Sequence, residues 1–121
     1  MSEEGPAPLP FVLETTEEIV RITFHGDLDI SRYDEVGKAL QLAMDTDSRP
    51  VLIVLDESVR YADSFTLSEM LLFRRRMQGK FRRVAVYCAN ANVFRTLSLT
   101  NVAERLNASM NEADAIKLLL G

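Results

Sequence analysis

From Ile19 to His25 the chain alternates. Val20, Ile22 and Phe24 are apolar, and Arg21, Thr23 and His25 between them are polar or charged. A period of two predicts a strand with one buried face, over Ile19–His25. Phe11–Thr15, just before a Thr-Glu-Glu turn, predicts a partner strand. Val51–Leu55 is wholly apolar, which predicts a central strand covered on both faces. Val84–Cys88 predicts a fourth strand and Arg105–Ala108 a short edge strand. Between these segments the apolar period lengthens to that of a helix. Gly26–Ile30 is a loop. Ser31, with Asp34 three residues on, makes a capping-box start for a helix to about Asp47, along which Tyr33, Val36, Leu40, Ala43 and Met44 recur. A second helix is predicted from Ser64 to about Gln78, stopped by Gly79. Its core-facing residues are Leu67, Met70, Leu71 and Leu72, with Phe73 and Met77 at the margin. Asn92–Leu99 predicts a short helix with Val93, Phe94 and Leu97 inward. Ser109 and Glu112 form another capping box, opening a last helix with Ala113, Ile116, Leu119 and Leu120 on its apolar side.

Two strands followed by alternating helices and strands define the α/β class. The expected architecture is one domain, residues 11–121, with a mixed, mostly parallel sheet of four or five strands. Right-handed crossovers would place the helices on one face of that sheet. Residues 1–10 hold three of the four prolines and two glutamates, and are expected to be a disordered tail.

Composition narrows the function. The net charge of −4 favours solubility and argues against nucleic-acid binding. The single cysteine, Cys88, excludes an intrachain disulfide and a cysteine-based metal cluster, and its place in a strand reads as a buried thiol. No apolar run approaches the roughly 20 residues that span a bilayer. The start, Met1-Ser-Glu-Glu, lacks a basic region, so no signal peptide is expected and the protein should be cytoplasmic. His25 lies on the polar side of its strand with no second histidine to share a metal. There is no nucleophile–base set and no glycine-rich phosphate loop, so neither enzymatic activity nor a cofactor is expected. Asp56 at a strand end suggests a receiver domain, but the first strand lacks the acidic pair, and Asn101-Val-Ala lacks the lysine that such domains need. Arg74, Arg75, Arg76, Lys80, Arg82 and Arg83 cluster around a helix end, where cations complement the dipole.

The remaining concentration of chemistry is Asp63-Ser64, at a strand-to-helix turn. On the residues alone, one of the two is an N-cap contributing about 1 kcal/mol. The positive end of the helix dipole there would also tolerate a phosphate on Ser64.

Three landmarks, taken in order, resemble the STAS family of anti-sigma-factor antagonist domains. They are Gly26-Asp27-Leu28-Asp29; Val51–Leu55 with Asp63-Ser64; and Val84–Cys88 with Asn92-Val93-Phe94-Arg95-Thr96-Leu97. The resemblance spans about Thr15 to Leu120. It implies a non-enzymatic regulatory domain of the stand-alone bacterial type. Ser64 would be phosphorylated by a partner that is both serine kinase and anti-sigma factor, and a phosphatase would restore the binding form. Asp27, Asp29, Ser31, Asp63, Ser64, Phe65 and Thr66 would form the partner surface. Neither membrane insertion nor nucleic-acid binding is implied, and self-association is left open. Two departures stand out. Phe65-Thr66 replaces the usual Ser/Thr-Gly, and Asp56 replaces a usually apolar residue. Asp-Ser-Phe resembles the scaffold STAS proteins of the stressosome. The alternative is therefore a constitutive subunit of a stressosome-like scaffold or a transporter complex, without a phosphate switch.

Overall fold

The computed structural model describes residues 9–121. Among them, five strands form one sheet in the order β1-β2-β3-β4-β5: β1 Phe11–Thr15, β2 Val20–Phe24, β3 Val51–Leu55, β4 Val84–Cys88 and β5 Ala108–Ser109. β1 pairs antiparallel with β2, and every later pairing is parallel. Helix α1 (Tyr33–Thr46), entered through a 3-10 turn at Ile30–Arg32, links β2 to β3. Helix α2 (Ser64–Gly79) links β3 to β4. Helices α3 (Ala91–Leu99) and α4 (Val102–Arg105) lead into β5, and α5 (Glu112–Leu120) follows it. The α/β class and the mixed, mostly parallel sheet are thus as the sequence predicts.

The alternation of β2 is realised fully: Val20, Ile22 and Phe24 are buried. With Val51, Ile53, Leu55, Val84, Val86 and Cys88 they face α1 to α4 across the main core. Burial pushes the Cys88 thiol up to about 11. The expectation that helices occupy one face holds for α1 to α4 and fails for α5. Ala115 and Leu119 of α5 pack with Ile19, Leu52, Val54 and Ala85 on the opposite face. The cause is already present in β3. All five of its residues are buried, so both its faces need a cover. A helix after the last strand makes no crossover back into the sheet, so no handedness rule confines it to the first face.

Several boundaries differ from the sequence expectation. The expected tail falls outside the described residues except for Leu9 and Pro10, and those two are anchored. Leu9 is buried and its N–H donates to Glu35 Oε2 at 2.8 Å, while the Pro10 carbonyl accepts from His25 N–H at 3.1 Å. α2 is rotated from its expected phase. Thr66, Leu67, Met70, Phe73 and Met77 are buried, whereas Leu72 is 48% exposed. Four apolar residues in a row, Met70 to Phe73, hide the phase of a helix. Gly79 is not the breaker but the last helical residue. The left-handed position falls on Phe81, whose φ is +57°. β5 starts at Ala108, because Val102–Arg105 forms a helical turn. Ser109 lies in β5, and Asn111 caps α5 by accepting from Asp114 N–H, so Ala115 and Leu119, not Ala113 and Leu120, turn inward.

Candidate functional site

β2 and β3 are parallel and both end, at Phe24 and Leu55, on the same edge of the domain. The segments leaving them, 25–32 and 56–63, run side by side. That is where parallel α/β sheets place their binding loops. Backbone pairing locks the two segments together. Leu28 N–H donates to the Tyr61 carbonyl at 2.8 Å, and Asp63 N–H donates to the Leu28 carbonyl at 3.0 Å. The two loops form a short parallel bridge, Leu28 with Ala62. Leu28 and Val59 are fully buried beneath them. Side chains add further ties: Asp27 Oδ1 accepts from Arg60 N–H at 3.0 Å, and Ser58 Oγ accepts from Gly26 N–H at 2.9 Å. Gly26 has a φ of +79°, which favours glycine at the point where β2 turns into its loop.

α2 starts from this platform. Asp63 is its N-cap, in extended conformation, and its Oδ1 accepts from Thr66 N–H at 3.0 Å. Ser64 is the first helical residue. Its side chain is exposed, and its hydroxyl makes no hydrogen bond among the described residues. The N–H groups of Ser64 and Phe65 likewise have no acceptor among the described residues, as the opening of a helix leaves them. Thus Asp63 fills the cap and Ser64 is left free.

The predicted surface residues divide. Asp27, Asp29, Ser31, Asp63, Ser64 and Phe65 are brought together around the start of α2, and all but the half-buried Asp63 are exposed. Thr66 leaves the surface. It is fully buried, and its Oγ1 donates to the Leu28 carbonyl at 3.3 Å. This is the position where the STAS pattern has glycine. Here the threonine side chain fits because it bonds down to the Leu28 loop, not out towards a partner. Ser31 is not the helix cap expected of it. Asp29 caps the 3-10 turn and accepts from both the N–H and the hydroxyl of Ser31. Those two bonds hold the Asp29 carboxyl below the ordinary carboxylate range.

Sequence reasoning named Phe65 but missed the other aromatic residues of the site. Tyr33, expected to face the core, is 41% exposed and lies 6.0 Å from Phe65, ring centroid to centroid, at 43°. Tyr61 and Ile30 are 53% and 54% exposed. The surface around Ser64 is thus apolar and aromatic, with carboxylates interspersed. Tyr33 joins Phe65 through a tertiary contact that no local pattern announces.

Asp56 also gains a role. It lies just past β3, and its carboxylate pairs with His25 Nδ1 and accepts from the N–H and hydroxyl of Ser58. Burial pushes its pKa up. The two Ser58 bonds and the His25 contact outweigh that, so it lies below the ordinary value. A carboxyl depressed in the folded state stabilises fully above the unfolded value of about 4, and that contribution is lost as pH falls through the folded one. In urea titrations from pH 6 down to pH 2, wild type should lose more stability than Asp56→Asn. Parallel curves would show that Asp56 contributes nothing.

Among the described residues no group of three or more histidine, cysteine or carboxylate side chains is placed to hold a metal, and no helix is long and apolar enough to cross a membrane.

With this geometry in place, comparison identifies the class. Residues 10–115 match the STAS domain profile, and the chain belongs to that family. No curated protein sequence matches it. Among solved structures, it is similar to an anti-sigma factor antagonist from Mycobacterium paratuberculosis, with a TM-score of 0.81 at 14% identity, covering 98% of this chain and 100% of that one. It is also similar to the unphosphorylated anti-sigma factor antagonist SpoIIAA, with a TM-score of 0.68 at 20% identity, covering 89% and 94%. The phosphorylated form of the Bacillus cell-fate determinant SpoIIAA gives 0.60 at 19% identity, covering 89% and 97%. At these identities the likeness is one of fold.

Proposed function

We propose that this protein is a non-enzymatic antagonist that docks on a serine kinase/anti-sigma factor through the start of α2, and that phosphorylation of Ser64 by that partner ends the docking. One observation carries the reading. Ser64 is exposed and unbonded at the opening of a 16-residue helix, amid the exposed Tyr33, Tyr61 and Phe65. The chain's likeness in fold to the anti-sigma factor antagonist SpoIIAA, in unphosphorylated and phosphorylated forms, supports it. A hydroxyl in that position needs no activation from this chain, because a kinase brings its own catalytic base. The fold tolerates the product. A phosphoserine brings about −1.5 to −2 charge to a helix end that favours anions. The interface does not tolerate it: phosphate beside Asp63 concentrates negative charge in a patch that must be desolvated, at a cost of several kcal/mol. A phosphatase then returns the binding form.

Phe65 favours a second reading. An apolar side chain 53% exposed in the first turn of α2 suits a permanent seat in a scaffold or transporter complex as well as a reversible contact. The experiment that separates the two is incubation with the serine kinase partner and Mg-ATP, followed by peptide mass spectrometry. One phosphate on Ser64, absent from Ser64→Ala, supports the switch. An unmodified chain in a stable complex favours the constitutive subunit.

A further inference from the structure

α2 carries a second exposed feature that the Ser64 surface does not use. Its residues Ser64, Ser68, Leu71 and Arg75 stand at i, i+4, i+7 and i+11, one stripe along the side of the helix that faces α4. Ser68, Leu71 and Arg75 line an open depression of about 300 Å³ with Leu72, Arg74 and Arg105. At 1.5 Å per residue, Arg75 lies roughly 16 Å beyond Ser64, out of reach of a phosphate there. The depression has an apolar floor, Leu71 and Leu72, with Leu72 48% exposed. It has a cationic rim, Arg74, Arg75 and Arg105. None of the three arginines has an ion-pair or hydrogen-bond partner among the described residues. In a chain of net charge −4, three unpaired guanidinium groups around the half-buried Leu71 and the exposed Leu72 are a local reversal of sign.

Helix-end electrostatics does not explain the arrangement. Arg105 belongs to α4, and Arg74 and Arg75 lie more than one turn before the end of α2 at Gly79. We infer that this depression is a docking pocket for an acidic, leucine-rich segment of a protein partner. Its carboxylates would pair with Arg74, Arg75 and Arg105 while its apolar side chains cover Leu71 and Leu72. Guanidinium groups suit carboxylates because their paired N–H donors match two oxygens at once. The inference draws on the proposed Ser64 surface only for continuity. A partner lying along the α2 stripe touches the switch at one end and the arginines at the other.

The test is a titration of the full ¹⁵N-labelled chain, followed by backbone amide shifts, with a synthetic peptide of alternating Leu-Leu and Glu-Glu pairs. A peptide with Lys for Glu, inorganic phosphate, and vesicles of phosphatidylcholine with phosphatidylglycerol serve as parallel probes. The acidic peptide should shift Ser68, Leu71, Leu72, Arg74, Arg75 and Arg105, and bind about tenfold more weakly in high salt. The double variant Arg75→Glu/Arg105→Glu, at exposed positions and with an unchanged melting temperature, should abolish the shifts, and Ser64→Ala should leave them intact. No shift at these residues at millimolar peptide overturns the pocket, as does equal binding of the Lys peptide. Vesicles or phosphate acting on these residues in place of the peptide overturn the protein partner in favour of a lipid headgroup or a free anion. Loss of the pocket leaves phosphorylation of Ser64 untouched, and an unphosphorylated Ser64 leaves the peptide shifts untouched, so the two readings fail separately.

Discussion

Ser64→Asp should bind the proposed kinase partner at least about 100-fold more weakly than wild type while melting within a few degrees of it. The affinity estimate follows from a cost of several kcal/mol for like charge in a desolvated patch, at about 1.4 kcal/mol per tenfold. Stability should barely change because the side chain is exposed, makes no hydrogen bond among the described residues, and sits where the helix dipole favours an anion. Phe65→Ala is the companion. It removes an exposed ring tilted against Tyr33, so it too should spare stability. Aromatic anchors at the centre of an interface typically cost about 2 kcal/mol or more when truncated, some 30-fold in affinity. Calorimetric titration of the partner with both variants reads the two effects. Unchanged affinity in Ser64→Asp would reduce Ser64 to an ordinary first residue of a helix.

The parts of the fold legible in sequence are those where one face alone decides. β2 alternates without interruption, and β3 is apolar throughout, so both were readable residue by residue. The phase of α2 was not. Met70 to Phe73 offers four apolar residues to a face that buries Met70 and Phe73, packs Leu71 only partly against the core and leaves Leu72 in solvent. The position of α5 was implied by β3 but not fixed by it. A strand covered on both faces needs a second layer, and nothing local says which helix supplies it. At the site, a cap at Asp63 or Ser64 was legible because a cap is a local hydrogen bond, but which of the two supplies it was not. Tyr33 and Tyr61 were not, since their exposure depends on how the loops from β2 and β3 pair through Leu28. Thr66 illustrates the difference well. The STAS resemblance put it on the partner surface, and the Leu28 carbonyl beneath it explains why it points inward.

Arg82→Ala should destabilise the fold by about 2–4 kcal/mol, lowering the melting temperature by on the order of 10 °C. In sequence Arg82 is one of six basic residues around a helix end. In the fold it closes the junction between two crossovers. Nη1 donates to the Met44 carbonyl at 3.0 Å, Nη2 donates to the Asp47 and Arg49 carbonyls at 2.6 Å each, and Nε donates to Arg49 at 3.1 Å. These carbonyls belong to the end of α1 and the turn into β3, where the helix leaves acceptors without partners of its own. Burial pulls the guanidinium pKa down, opposed by Asp47 and Asp45, yet an arginine stays protonated and keeps all its donors. Removing it strips charged hydrogen bonds from three half-sheltered carbonyls, each such bond worth about 1.5–3 kcal/mol before water replaces part of it. Arg82→Lys should recover less than half, because an ammonium cannot span the fork from Met44 to Arg49. Arg83→Ala is the control. Arg83 is exposed and its side chain has no partner among the described residues, so its removal should shift stability by no more than about 0.5 kcal/mol. If Arg82→Ala and Arg83→Ala unfold at the same urea concentration, the four bonds add nothing to stability, and the junction is held instead by the backbone bond from Val51 N–H to the Arg83 carbonyl at 3.1 Å.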